Sequence, residues 1–421
     1  MLNRRDLIVG ASAGIFAAST VGASAQSPVT VTLWHYQTGN REALRANLDR
    51  FEAANPGIKV TDVLKNNETM ASEIQAAALA NRAPDIGQVL GRLVVGMIRN
   101  AGAQPLDGIP EGEALMRHIL PQFLDIGRYQ GRVYAVPHSF GTAVVYINRD
   151  IVREAGLDPD QPPATWQAMR EMARRIKERT KKIGLYVAQG GRDVAAQQMM
   201  TNTGATMMNP ELTRATFATA ESIEALQLWQ DMAVTDKTYS TLSERELGAL
   251  FMGGQIAMMV QSIATFQEAR RNATGKFDLG VAPYPLWKDM PRRVANSGST
   301  MLVFSRDAAR RAAAMKVLAY LMDPAVTNQW AVESGYLPLD PNARESEVVR
   351  SYLATEPRWR VAVDQMADTI PTARWPGNRV VEIQIVIENM VQALVQGKGT
   401  AADLVPAAER GVSAILAQSL P

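Results

Sequence analysis

From Val29 the chain alternates, with Val29, Val31 and Leu33 apolar and Thr30 and Thr32 polar. That is the two-residue period of a strand, here ending near Trp34. Beyond Arg41, the apolar residues Leu44, Leu48 and Phe51 fall at i, i+4 and i+7, the spacing of one buried helical face. Asn55-Pro56-Gly57 breaks this period, and Ile58 to Leu64 reads as a second strand. The pattern predicts a β-α-β unit with parallel strands and therefore an α/β lobe. In such a lobe ligands collect outside the carboxyl ends of the strands. His35-Tyr36-Gln37-Thr38 is thereby placed either at the rim of a cleft or in a solvated loop.

Similar segments recur to the C-terminus, separated by proline-rich connections at Pro159 to Pro163 and around Pro283, Pro285 and Pro291. Thr165 is positioned to cap a helix opening with Trp166, and Asp323-Pro324 places a capping residue before a proline at the first helical position. That second helix is expected to stop at Gly335 and leave Tyr336-Leu337-Pro338 extended. The last long helix is expected over about Val380 to Val395, ending at Gly397.

The N-terminus changes the picture of where this fold resides. Arg4-Arg5 precedes an apolar stretch from Leu7 to Val21 and then Ala23-Ser24-Ala25. This reads as an export signal over residues 1–25, twin-arginine-like in its paired arginines, with Sec export as the alternative. The stretch is roughly 15 residues, short of the ~20 that span a bilayer. With no cysteine in the chain, there is no disulfide, thiol nucleophile or lipid-modifiable cysteine. A freely diffusing protein of a Gram-negative periplasm is expected. At 421 residues, 47% of them hydrophobic, the chain exceeds one ordinary domain. Lys+Arg of 44 against Asp+Glu of 42 argues against nucleic acid as a partner and for a small molecule.

Catalytic patterns are sparse. The three histidines, His35, His118 and His138, do not have the i, i+4 spacing of a helical zinc site. No G-x-S-x-G elbow, P-loop or G-x-G-x-x-G occurs, and Gly190-Gly191 and Gly253-Gly254 read as turns. His118 reads as part of an amphipathic run, and Met199-Met200 with Met207-Met208 as core filler. No metal or cofactor is expected. What remains is a scatter of aromatic and hydroxyl residues near expected strand ends: Trp34, Ser139, Ser262, Ser297, Ser299, Tyr336 and Trp375. Aromatic faces stack on the carbons of a polyol while hydroxyls meet its hydroxyls.

Several stretches together resemble family 1 extracellular solute-binding proteins of ABC importers. They are Val31 to His35, Phe51 to Val60, Ala83 to Ile86, Tyr134 to Pro137, Tyr146 to Asp150, Ala155 to Pro159, Gly253 to Met258 and Glu333 to Pro338. The resemblance implies a two-lobed α/β periplasmic-binding-protein fold of type II, maltose-binding-protein-like, that closes about a hinge. By that analogy the crossings fall near Ser139 to Thr142, Ala295 to Thr300 and Tyr336 to Asp340. The N-lobe is then 29–138 plus 300–336 and the C-lobe 143–295 plus 340–421. The expected protein is a monomer that hands its solute to an inner-membrane permease and does no chemistry. The alternatives are a secreted carbohydrate-active hydrolase, whose two carboxylates would stand about 5–9.5 Å apart, and an exported interaction module.

Within that family the likeness is strongest to glycerol-3-phosphate-binding members, through Trp34-His35, Ser139, Ser262, Asn296-Ser297-Gly298, Tyr336 and Gly377-Asn378-Arg379. In such members hydroxyls, a glycine amide, a tyrosine and an arginine hold the ligand, with the arginine on phosphate. Asn67 and Gly91, with Arg92 beside the latter, stand where a tyrosine and a glutamate are expected. The ligand set implied is Trp34, His35, Asn67, Arg92, Ser139, Ser262, Gly298, Ser299, Tyr336, Trp375 and Arg379. Glycerol 3-phosphate, a glycerophosphodiester or a sugar would fit, and Arg379 helped by Arg92 would make the ligand anionic.

Overall fold

The computed structural model describes residues 27–37, 40–67, 69–187, 192–240, 242–377 and 379–419. The export signal at 1–25, Thr38, Asn378 and the pair Gly190-Gly191 lie outside the described residues.

Two sheets organise the chain. The first runs in the spatial order Ile58–Leu64, Val29–His35, Ile86–Leu90, Ser297–Val303, Ala135–Gly141. Its first three strands are parallel, and Ser297–Val303 is antiparallel to both of its neighbours. The opening unit follows from the pattern: Val31 and Leu33 are buried on one face of their strand, and helix Arg41–Ala54 buries Leu44, Leu48 and Phe51. The second sheet has the order Leu279–Pro283, Ala143–Asn148, Ile256–Ser262, Ile183–Val187. All six residues of Ala143–Asn148 are buried, as a continuous apolar run covered on both faces requires.

The molecule is therefore a two-lobed α/β protein, and the crossings between its sheets are short. Thr142 alone separates Ala135–Gly141 of the first sheet from Ala143–Asn148 of the second. It is fully buried, and its Oγ1 accepts from Gln365 Nε2 at 3.0 Å. A second crossing passes through Val294–Ala295, which pairs in parallel with Thr369–Ile370 immediately before Ser297–Val303 begins. The strands of the first sheet reach Gly141 and start at Ser297, three residues beyond 138 and three before 300.

Helix ends follow their capping residues. Thr165 Oγ1 accepts from Ala168 N at 3.1 Å, and Asp323 accepts from Ala325 N at 2.9 Å. Helix Pro324–Ser334 ends on Gly335 at φ 83°, a left-handed position that glycine adopts without strain. Val380–Val395 is helical, but it is not the last long helix, because Ala401–Ser419 follows with 19 residues. Pro406 lies inside that helix and reads in sequence as a break. Met199, Met200 and Met207 are core residues, and His118 is exposed.

Candidate functional site

A cavity of about 320 Å³ lies where the two sheets meet, within the range of small-molecule sites. Its walls come from chain segments just beyond strand ends. Tyr36 follows Val29–His35, Gly91 and Arg92 follow Ile86–Leu90, and Gln261 and Ser262 close Ile256–Ser262. The crossing Ala295 to Ser299 forms its floor together with Tyr336, and the irregular segment Pro371 to Trp375 completes it. Both lobes contribute, because the cavity sits at the carboxyl ends of strands from each sheet.

Of the residues expected from sequence, Asn67, Arg92, Ser262, Gly298, Ser299, Tyr336 and Trp375 line this cavity. Ser299 Oγ accepts from the buried Gln88 Nε2 at 2.6 Å, and Trp375 Nε1 donates to Gln197 Oε1 at 3.2 Å. Both lining side chains are thus held by neighbours that fix their direction. Tyr36 also lines the cavity, and burial pushes its phenol above the ordinary range.

Four expected residues do not line it. Trp34 carries Lys65 Nζ 4.1 Å from its ring centroid. His35 is fully buried, accepts at Nδ1 from Gln37 N at 3.2 Å, and has Nε2 3.4 Å from an Asp62 carboxylate oxygen. Burial lowers its pKa, against the opposing hydrogen bond and charge of Asp62. Ser139 is buried behind the wall, where it accepts from Gln37 Nε2 at 3.1 Å and has its Oγ 3.2 Å from His138 Nδ1. The fourth is Arg379. It stands just before helix Val380–Val395 and is tied to Glu382 and Gln418 on the surface, so its fork is occupied away from the cavity.

The cationic partner of Arg92 in the cavity is instead Arg374, five residues earlier. Its Nη1 donates to the backbone carbonyls of Asp125 and, at 3.0 Å, Arg128. Burial lowers the pKa of both Arg92 and Arg374, because each charge has lost water. Neither forms an ion pair with a described carboxylate at contact distance, and Nε of Arg92 is buried without a hydrogen-bond partner. Asn296, part of the Asn296-Ser297-Gly298 motif but not of the expected ligand set, also lines the cavity and binds the Pro371 to Trp375 segment by accepting at Oδ1 from Thr372 N at 2.9 Å. No periodic signal marks Arg374 in the sequence; adjacency to Trp375 was the one available clue.

A cleft between two sheet-based lobes, lined by amides, hydroxyls, three aromatic side chains and two arginines, defines a binding protein of the two-lobed, maltose-binding-protein-like class. Comparison with known proteins gives the family. The model for "Bacterial extracellular solute-binding protein" matches residues 36–328, and the chain belongs to that family. It is 25% identical over 436 residues to the sn-glycerol-3-phosphate-binding periplasmic protein UgpB of Pectobacterium atrosepticum, covering 97% of this chain and 96% of the relative. Among solved structures, UgpB of Mycobacterium tuberculosis in complex with glycerophosphocholine superposes with a TM-score of 0.82 at 20% identity, covering 93% of this chain and 99% of the other. The cyclic α-maltosyl-1,6-maltose binding protein of Arthrobacter globiformis superposes with a TM-score of 0.81 at 24% identity, covering 93% and 100%.

Proposed function

We propose that this protein captures a small anionic polyol, a glycerol phosphate or glycerophosphodiester, outside the cytoplasm and delivers it to the permease of an ABC importer. The observation that carries the reading is the pair Arg92 and Arg374 in one cavity, both desolvated and neither neutralised by a contacting carboxylate. An arginine fork left with free donors in a partly dry site is satisfied best by phosphate oxygens, in charge-assisted hydrogen bonds. Asn67, Ser262, Ser299 and Tyr336 are the candidates for the hydroxyls, with Trp375 offering a stacking face. The likeness to an sn-glycerol-3-phosphate-binding periplasmic protein supports a periplasmic location and a glycerol-phosphate ligand. The lobes are proposed as 29–138 plus 300–336 and 143–295 plus 340–421.

A neutral sugar is the second reading, favoured by the fold shared with the cyclic maltosyl-maltose binding protein. Hydrolysis of such a sugar has less support, since the described cavity lining holds no aspartate, glutamate or histidine. Melting temperatures separate the two ligand readings. A ligand at 100 times its dissociation constant that binds only the folded state adds about 2.7 kcal/mol, which shifts the melting point by several degrees. Glycerol 3-phosphate or glycerophosphocholine is expected to stabilise the parent and the surface variant Arg379→Ala alike, and to lose most of that effect on Arg374→Ala. Stabilisation of all three proteins by a neutral disaccharide, with none from either phosphate, would replace this reading with the sugar one.

A further inference from the structure

Gln88 sits in the middle of strand Ile86–Leu90 and is fully buried, behind the cavity lining. Its strand pairs antiparallel with Ser297–Val303, with Leu90 opposite Ser299 and Gln88 opposite Met301. Residues directly opposite share a face of a sheet, as do residues two apart along a strand, so the Gln88 and Ser299 side chains are diagonal neighbours on one face. The Gln88 amide bridges two parts of the cavity wall. Its Oε1 accepts from the backbone N–H of Tyr36 at 3.1 Å, and its Nε2 donates to Ser299 Oγ at 2.6 Å.

The first of these bonds fixes the direction of the second. A backbone N–H only donates, so the amide atom that meets Tyr36 is the oxygen and the atom that meets Ser299 is the nitrogen. An amide nitrogen accepts no hydrogen bond, hence Ser299 Oγ accepts there and its own proton points elsewhere. The Tyr36 side chain lines the same wall. A hydrogen bond between the Ser299 and Tyr36 hydroxyls uses one of their protons and leaves the other to be placed. Among the described residues no backbone carbonyl or carboxylate receives it. The open side of both residues is the cavity.

We propose that Gln88 is a positioning residue for solute selection: by donating to Ser299 it makes this part of the wall a hydrogen-bond donor, so that the solute oxygen met there has to accept. A phosphate oxygen, or a polyol hydroxyl turned to accept, meets this condition, and an ammonium or amide N–H does not. Gln88 itself stays out of contact with the solute. The inference rests on the reading that this cavity holds the solute, and it deepens that reading by giving one position of the wall a fixed polarity.

A double-mutant cycle tests it. The parent, Gln88→Met, Ser299→Ala and the double variant are titrated with glycerol 3-phosphate by calorimetry. Ser299→Ala removes the donor and is expected to weaken binding about tenfold, within the worth of one hydrogen bond to a charged group. Gln88→Met leaves the hydroxyl without its orienting donor and is expected to weaken binding severalfold. On the Ser299→Ala background the same change is expected to cost no further affinity, because no hydroxyl is left to orient. A glutamine that only holds the Tyr36 backbone in place acts equally on both backgrounds, so factors that multiply would overturn the proposal. Urea midpoints identify a variant that is not folded, and Gln88→Glu, which keeps an acceptor for the Tyr36 N–H, is then carried through the same cycle with the same expectation. If a neutral disaccharide binds in place of glycerol 3-phosphate and shows the same non-multiplying pattern, the assignment of Gln88 stands and the anionic-solute reading falls.

Discussion

Arg374 and Arg379 are five positions apart, yet one points into the cleft and the other into solvent. The sequence pattern could not separate them. Residues 371–377 form no helix or strand, so no period assigns a direction to a side chain there, and only its place in a family-like run singles out Arg379 in the sequence. Strand-end residues were more legible. Ser262, Ser299 and Arg92 sit on or directly after the strands Ile256–Ser262, Ser297–Val303 and Ile86–Leu90, and all three line the cavity. His138 shows the opposite limit, since nothing in sequence signals the environment of its ring. It is 3% exposed, its ring centroid is 5.0 Å from that of Trp330, and burial with nearby His35 pushes its pKa down to about 3. An imidazole held neutral in the folded state and free to protonate near 6.5 in the unfolded chain contributes stability that is complete above pH 6.5. That stability is lost as pH falls toward the folded value. Between pH 6.5 and 5 the loss from this one group is about 2 kcal/mol. Urea unfolding is expected to show a shallower decline across that interval for His138→Gln than for the parent, whatever the variant's stability at pH 7. Parallel declines would mean that His138 titrates alike in both states.

At the scale of elements, local signals and observed boundaries agree where the signal is a period bounded by a cap. Ile58–Leu64 and the helix from Pro324 to Ser334 are recovered this way, because alternation and capping act within a few residues. The helix Ala401–Ser419 escaped for the same reason in reverse: Pro406 is a local stop signal that burial of Val405, Ala408, Val412 and Leu416 overrides. Strand pairing is non-local, and one pairing bears directly on the site. Ser297–Val303 shifts register against Ala135–Gly141 between Ser299 and Thr300, next to Gly298 in the cavity floor. A Cβ added at Gly298 would stand 2.0 Å from the backbone oxygen of Ser139, so the two strands approach as closely as glycine permits. Gly298→Ala therefore has to spread the pairing, and overpacking of this kind costs about 1–3 kcal/mol. A lower midpoint in urea with an unchanged slope is the expected result. An unchanged midpoint would show that the strands separate without cost at this point.

At the scale of the molecule, the two lobes are interleaved in sequence, and no hydrophobic period reveals that. The chain leaves the first sheet at Gly141, returns to it at Ser297, and builds the second sheet between. Only the likeness to a known family anticipated this order. The physical consequence is that few covalent links join the lobes, while the polar walls of the cavity come from both. Arg374 adds a non-covalent link: its segment is tied to the crossing through Asn296 and near the second-lobe helix through Trp375 and Gln197, while its guanidinium reaches the carbonyls of Asp125 and Arg128. An anion bound between Arg92 and Arg374 would draw these segments together, because each arginine regains the hydrogen bonds that burial removed. Small-angle scattering of the mature protein should therefore give a smaller radius of gyration with saturating glycerol 3-phosphate than without it. Arg374→Ala should show a weaker contraction at the same concentration, since both the anion and the interlobe contact are lost. A radius that stays constant while calorimetry reports saturation would mean that the lobes are already closed before solute arrives, and the cleft would then act as a preformed site rather than a hinged one.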